Sequence, residues 1–378
     1  MYRIPRFRTV LLAAAGLIFA ALGCESAPTA EKPAESYIYY PPAPAAPRFQ
    51  FVAAIKSTTD LTNPEQRTTF ADWIAGEEKA GQTENRLGTL YGLGIHDDKL
   101  YLCDVARNRV HVLDVRNGTY SRLGNEDQIK NPVNITIDAD GTKYVSDTNR
   151  RLVVVFDADD RYVGDLGDAE RSAPIDVALD GEEMFVVDLA NARVEVWDRQ
   201  GKLLRTISEK GQGPDQMTNP TNIAIAPDGR LYVVDTFQQI VKIFSPDGRF
   251  MGSLGRPGSI PGSFARPKGI AIDEENGIVY VMDFQWEVIN VYRLSGQLLT
   301  FFAQPGPEPQ NLGLPAAIVL DRSMLDVYRE HMAPNFEAQY LLFVVNQAGP
   351  RKVTVFAFGR DTSLPSSAYE IDREAVER

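Results

Sequence analysis

Residues Asn219–Gly255 read NPTNIAIAPDGRLYVVDTFQQIVKIFSPDGRFMGSLG, and the fold turns on what this stretch can do alone. Four short apolar runs lie in it: Asn222–Ile225, Leu231–Val234, Ile240–Phe244 and Phe250–Leu254. Between them stand Pro227-Asp228-Gly229 and Pro246-Asp247-Gly248, where Asp and Gly accept the backbone angles of tight hairpin turns. The pattern predicts four antiparallel strands in one small twisted sheet. Such a sheet cannot bury both of its apolar faces by itself, so it has to stack on copies of itself.

The copies are present. Pro132, Pro174, Pro220, Pro267 and Pro315 begin units spaced 42, 46, 47 and 48 residues apart. Each proline is followed by an apolar run: Asn134–Ile137, Asp176–Leu179, Asn222–Ile225, Gly269–Ile272 and Ala317–Leu320. An earlier unit, Thr89 to Gly124, lacks the proline but ends in Leu123-Gly124, as others end in Leu166-Gly167 and Leu254-Gly255. A second column confirms the register, since the second run of each unit ends in Asp104, Asp147, Asp188, Asp235, Asp283 or, last, Asn346. An Asp there caps the following turn by accepting backbone N–H bonds. Six units predict an all-β fold, a six-bladed β-propeller of four-stranded antiparallel blades. The last unit, Gly313 to Arg360, offers only Ala317–Leu320, Leu341–Val345 and Val353–Phe358. An incomplete blade would leave open edges, and Phe49–Ile55 is available to close it. The expected layout is a signal peptide over 1–23, a lipidated cysteine and tether over 24–47, a propeller over 48–360, and a C-terminal tail over 361–378. Within the propeller, 48–55 form the closing strand and 56–87 a helical insert.

The recurring Pro-x-(Gly/Asn)-Ile-Ala-Ile-Asp, then Leu-Tyr-Val-Val-Asp, then Val-x-Ile-Phe with Asp-Gly turns resembles the NHL repeat of six-bladed β-propellers, over residues 88–360. That resemblance implies the fold. It does not select a function, because the family spans adhesion and sensor modules, RNA-binding proteins, lyases and, more remotely, calcium-dependent lactonases. Tyr39-Tyr40-Pro41-Pro42, the Pro47–Ile55 strand and the insert before the first blade resemble exported bacterial propellers of lipoprotein type.

Of the 378 residues 44% are hydrophobic and 24% charged, which is globular composition. The formal net charge of -12 repels phosphate backbones and argues against nucleic acid as a partner. Cys24 and Cys103 are the only cysteines, one at the edge of the leader and one inside a strand, so no disulfide framework is implied. Arg3, Arg6 and Arg8 precede an apolar run from Val10 to Gly23, the length of a signal-peptide core and short for a bilayer span. Ala21-Leu22-Gly23-Cys24 resembles the bacterial lipobox, with Ala21 where leucine is usual. That resemblance implies lipidation of Cys24, and Glu25 after it implies outer-membrane anchoring, facing the periplasm or outward. The alternative is an ordinary cleaved signal with an incidental cysteine. Ser26 to Pro47, rich in Pro, Ala and Glu, reads as an extended tether.

Alternating strand direction puts the start of each first strand, the turn between second and third strands and the link to the next blade on one face, here called the front. Its turns carry Arg107 and Arg109, Arg150 and Arg151, and Arg193 in blades one to three, then Phe237, Gln238 and Gln239, and Phe284, Gln285 and Trp286 in blades four and five. An arginine arc facing an aromatic and amide arc suits an anionic or glycan-like ligand. The alternative is that these side chains are solvated or paired with the capping aspartates. The insert over 56–87 emerges on the front, where Phe70, Trp73 and Ile74 mark the buried side of a helix, set either over the channel or on the rim. A second insert, Asp321 to Ala338, belongs on the back and is expected to be helical over Ser323–His331.

Near the axis the six first strands present Gly92, Asn134, Asp176, Asn222, Gly269 and Ala317. The oxygen-bearing Asn134, Asp176 and Asn222 suit a hard cation such as calcium; the alternative is a hydrated channel lined by small polar groups. His96, His111 and His331 are the only histidines, and none is placed to build a zinc site on the front. No nucleophile elbow, phosphate loop or histidine metal motif appears. The sequence thus points to a monomeric, membrane-tethered, non-enzymatic binding or scaffold propeller of the bacterial envelope, meeting a protein or glycan through its front face. The alternative is a calcium-dependent hydrolase or lyase with its site at the channel mouth.

Overall fold

A computed structural model of the chain describes residues 37–58, 60, 86–260 and 262–369. The leader, Cys24, the first part of the tether, the Phe70, Trp73 and Ile74 stripe and the end of the tail lie outside the described residues.

The stretch 219–255 folds as strands Pro220–Ile225, Leu231–Asp235, Ile240–Phe244 and Phe250–Leu254, paired in that order. Gly229 and Gly248 close its hairpins with φ of 79° and 93°, each N–H donating to a carbonyl three residues back at 2.8 Å. Residues 90–123, 132–166, 174–207 and 267–302 form four more such sheets. The sixth comprises Pro315–Asp321, Phe336–Asn346 and Val353–Asp361, with Phe49–Ile55 on its edge and Tyr39–Tyr40 outside that.

The two columns read from the sequence are partners in space. Pro132 faces Asp147, Pro174 faces Asp188, Pro220 faces Asp235, Pro267 faces Asp283 and Pro315 faces Asn346, with Leu90 facing Asp104 in the first blade. Proline is tolerated there because it opens the strand and owes no ladder N–H. Immediately after it every first strand bulges. In four blades the shift passes over one residue; in blades one and five it passes over two, Tyr91 and Gly92, and Lys268 and Gly269.

Second strands such as Leu231–Asp235 are buried throughout, whereas fourth strands such as Tyr162–Leu166 are largely exposed. The apolar cores lie between blades. One cluster joins blades one and two through Cys103 and Val145, and others join two to three, three to four, four to five and five to six. The sixth cluster packs Leu341 and Val355 of the last blade against Leu93 and Leu102 of the first. Each sheet thus buries its second face on a neighbour, and the ring has no free end.

On the edge of the sixth blade Phe49 pairs with Phe358 and Ile55 with Val353, and the Phe49 ring stacks on Phe302 at 4.0 Å. The segment expected to run as a tether to Pro47 joins the fold from Tyr37 on. Tyr39 and Tyr40 pair with Gln50 and Phe49, and the Tyr40 ring lies 5.7 Å from Phe302. Tyrosines that can bury their rings are poor tether residues, and composition averaged over the segment hides them. The back-face insert also differs from expectation: it forms two 3-10 turns, Ser323–Leu325 and Arg329–His331, in place of one helix. Met324, Tyr328 and Met332 sink from it into the core between blades six and one. The expected tail starts folded, since Tyr369 accepts from Arg48 through its carbonyl at 2.7 Å and from the Asp361 N–H through its hydroxyl at 2.7 Å. Among the described residues no helix is long and apolar enough to cross a membrane.

Candidate functional site

The first strands enclose a central cavity of about 620 Å³, walled by apolar side chains such as Ile135, Val177 and Ile223 and ending toward the back at Asp138, Asp180 and Glu274. Asn134, Asp176 and Asn222 lie together at its inner end. Their bonding is not that of an open cation site. Asp176 accepts from Asn134 Nδ2 at 2.6 Å, Asn222 Nδ2 at 3.3 Å, the Val177 N–H at 2.8 Å and the Ile223 N–H at 3.0 Å. Both carboxylate oxygens are occupied by N–H groups, and the amides turn nitrogen toward the carboxylate. The result is a belt tying blades two, three and four. Burial pushes the Asp176 carboxyl up to about 7, outweighing the four N–H bonds, which favour its charged form. Among the described residues no three His, Cys, Asp or Glu side chains are grouped to hold a metal. Across the axis the corresponding residues are small because backbones approach there: a Cβ on Gly92 would sit 2.5 Å from Asn134 Cα, and one on Gly269 would sit 2.9 Å from the Ala316 carbonyl oxygen.

The capping column does more than close turns. Asp235 accepts from the Gln238 N–H at 3.1 Å in its turn and from the Thr218 and Asn219 N–H groups at 2.7 and 3.1 Å in the incoming link. Asp104, Asp147 and Asp283 bridge link and turn in the same way. His111 is a core residue: its Nε2 lies 3.0 Å from Asp104 Oδ2 and its Nδ1 lies 3.1 Å from the Tyr120 hydroxyl, and it is fully buried.

Four of the five front-face arginines meet partners inside the protein. Arg107 Nε sits 3.7 Å from Asp104, and Arg109 Nε donates to the Arg107 carbonyl at 3.2 Å. Arg150 donates to the Gln128 carbonyl at 2.6 Å and pairs with Asp165 of its own blade. Arg193 is held by Asp188 at 3.3 Å and Glu195 at 2.5 Å. Arg151 occupies the left-handed region with φ of 59°. Gln238 is a bracket, its amide donating to the Gly211 and Gln216 carbonyls and to Thr218. Phe237 and Trp286 do face solvent, at 66% and 39% exposure, and Ile260 in the link between their blades joins them at 56%. Phe284, in the turn after blade five's second strand, has Lys268 Nζ 4.4 Å from its ring centroid and the Arg266 guanidinium 4.9 Å away. The sequence reading missed Arg266, Lys268 and Tyr91. The signal available was a lysine in a position that is Val133, Ile175, Thr221 or Ala316 in other blades.

Residues 217–302, which span blades four and five, match a family model described as a 6-bladed beta-propeller. The chain is a six-bladed β-propeller. No curated protein matches the sequence. Among solved structures the chain is similar to virginiamycin B lyase from Staphylococcus aureus, with 15% identity and a TM-score of 0.50 over 72% of this chain and 85% of that one. A catalytically inactive variant of that lyase with quinupristin gives 14% identity and a TM-score of 0.51, covering 73% and 97%. A structural genomics protein of unknown function from Bacteroides thetaiotaomicron gives 15% and 0.53, covering 75% and 72%. At these identities the likeness is one of fold, and the propeller fold hosts unrelated functions.

Proposed function

We propose that this propeller is a non-enzymatic binding or scaffold protein of the bacterial envelope that meets a protein or glycan partner through its front face. The observation that carries the reading is the run of exposed apolar side chains on consecutive front-face loops, Phe237, Ile260 and Trp286. Large rings held on rigid hairpins lose little entropy on binding and anchor protein and sugar contacts alike. Three of the five arginines of blades one to three, Arg107, Arg150 and Arg193, are committed to Asp104, Asp165, Asp188 and Glu195, which moves the weight of the site toward blades four and five. The hydrolase or lyase alternative would place its chemistry at Asn134, Asp176 and Asn222, where a calcium ion would first have to displace four N–H donors. The leader and Cys24 support export and lipid anchoring by resemblance.

The test is site-specific photo-crosslinking in intact cells from residue 237 and from residue 286, with residue 140 on the back as control. A discrete adduct from the front positions that the Phe237→Ala, Trp286→Ala double variant loses supports the reading, and glycosidase or protease treatment of the adduct tells glycan from protein. Adducts from the control alone would move the interface to the back. Cys24→Ser should release the protein from membranes; retention equal to the parent would overturn the lipid anchor.

A further inference from the structure

Among the described residues three lysines are buried, and two of them are handled alike. Lys143 Nζ donates to the Asp157 and Ala158 carbonyls at 2.9 Å each and pairs with Asp160 at 2.6 Å. Lys242 Nζ donates to the Gly213 and Pro214 carbonyls at 2.9 and 2.7 Å. A buried ammonium needs such acceptors, because leaving a charge desolvated and unpaired is costly. Lys268 breaks the rule. It is 8% exposed, and among the described residues its hydrogen-bond partner is the Tyr91 hydroxyl at a long 3.5 Å. What surrounds it instead is aromatic: Nζ lies 4.6 Å from the Tyr91 ring centroid and 4.4 Å from that of Phe284. Ring faces attract a cation but accept none of its three N–H bonds in the way an oxygen does.

The backbone builds this arrangement. Lys268 and Tyr91 are both bulge residues, in the two blades where the bulge spans two positions, and bulges re-aim side chains, often beside functional sites. They come from blades five and one, and Ala316, the corresponding residue of the intervening blade, is small enough for the lysine to reach over it. The Arg266 guanidinium shares the Phe284 ring with Lys268, so two cations stand at one ring. No carboxylate of the described residues pairs with either of them. In a chain of net charge -12, two cations at one ring with no carboxylate partner among the described residues are out of character. Burial holds the Lys268 pKa below the ordinary lysine value, with Tyr91 opposing and Arg266 adding to the effect.

We infer that the front mouth of the channel is a carboxylate-binding site, in which Lys268 receives the carboxylate of a small organic ligand, Tyr91 and Phe284 flank its apolar stem, and Arg266 supplies a second donor at the rim. A monoanion matches the single buried ammonium, and the flat rings beside it favour a carboxylate on a carbon stem over a polyanion. Phe284 shares its turn with Trp286, but the lysine, tyrosine and arginine of this site come from other segments, so the site does not require the exposed Phe237 and Trp286 side chains.

The test is calorimetric titration of the full chain, at low ionic strength, with glucuronate against glucose, with N-acetylalanine against its amide, and with inorganic phosphate. One or both carboxylates should bind while their neutral counterparts do not, the two arms telling a sugar acid from a peptide-like acid. Lys268→Met should weaken binding about tenfold or more, Arg266→Gln less, and Lys268→Arg least, as expected for a charge-assisted bond. Lys268→Met should also melt no lower than the parent, since it removes a buried charge held by one long hydrogen bond and no carboxylate of the described residues. In the unmodified protein the NMR signal of Lys268 Cε should move with the bound acid and not with its neutral analogue, which keeps the test independent of any variant's folding. Phe237→Ala with Trp286→Ala should leave the affinity unchanged, so failure of the partner surface and failure of this site are read separately. Equal binding of the neutral analogues, tighter binding of phosphate, no binding of either acid, or unchanged affinity in Lys268→Met would each overturn the assignment.

Discussion

Replacing Asp176 by Asn tests the central belt through the pH dependence of stability. Burial raises the Asp176 carboxyl from 3.8 to about 7 in the folded protein, while in the unfolded chain it titrates as an ordinary aspartate. Below the lower value both states hold the proton, and the group adds no pH dependence. Between the two values the folded protein keeps a proton that the unfolded chain has released, so stability falls as pH rises. Above about 7 the loss is complete, and the displacement corresponds to about 4 kcal/mol. Asn does not titrate, so its variant lacks this component. Its single side-chain oxygen cannot satisfy all four donors, so it carries a fixed penalty that is the same at every pH. Urea denaturation of both proteins between about pH 4 and about pH 8 isolates the effect as a difference. Parent minus variant should decline by about 4 kcal/mol across that range, most steeply between about 5 and 7. A flat difference would mean that the carboxyl is not raised. A rising one would mean that the four N–H bonds outweigh desolvation and that the belt stabilises the charged form.

Asp235→Ala removes the acceptor of three backbone N–H groups and should cost about 3 kcal/mol or more in equilibrium denaturation; a loss under about 1 kcal/mol would show that water replaces the carboxylate. Phe49→Ala empties a site that is 1% exposed and stacked on Phe302, with an expected cost of about 3–5 kcal/mol. Limited proteolysis should then cut first near the edge of the sixth blade, and an unchanged digestion pattern would deny that strand a closing role. Millimolar calcium should leave the melting temperature where it is, because the oxygens of Asp176 already accept N–H bonds. A rise that Asp176→Ala abolishes would restore the cation site and with it the hydrolase or lyase alternative.

The ring could be read from the sequence because its determinants are local and repeated. Each Pro and each Asp does one backbone job, opening a strand or accepting N–H bonds, and does it at the same place in every blade. What the spacing did not reveal is that each Pro and Asp face each other across a strand pair, so that one aspartate holds both the turn behind it and the link before it. The sequence places Asn134, Asp176 and Asn222 in one arc without saying how they bond, since Asn offers either an oxygen or an N–H, and only the position of Asp176 between two amides decides which. The partners of the arginines are hidden for a related reason: the acids that engage Arg150 and Arg193 sit on strands of the same blades, which the loops alone do not show. Lys268 carries no periodic signal, because a bulge removes a residue from the alternation by which strands are read.

The edge of the sixth blade sets an order of events. Arg48 and Tyr369, which touch through a hydrogen bond, are 321 residues apart, so the strand that begins at Phe49 is among the first parts of the propeller to be made and among the last to find its partner. Until Val353–Asp361 has been synthesised, Phe49 and Tyr40 have nothing to bury against in that blade, and a bare apolar strand edge is a site of mispairing. Long-range closure of this kind is slow. A protein threaded through a membrane from its N-terminus would meet the same delay on the far side, which makes the waiting strand the point at which a holding chaperone would be most needed.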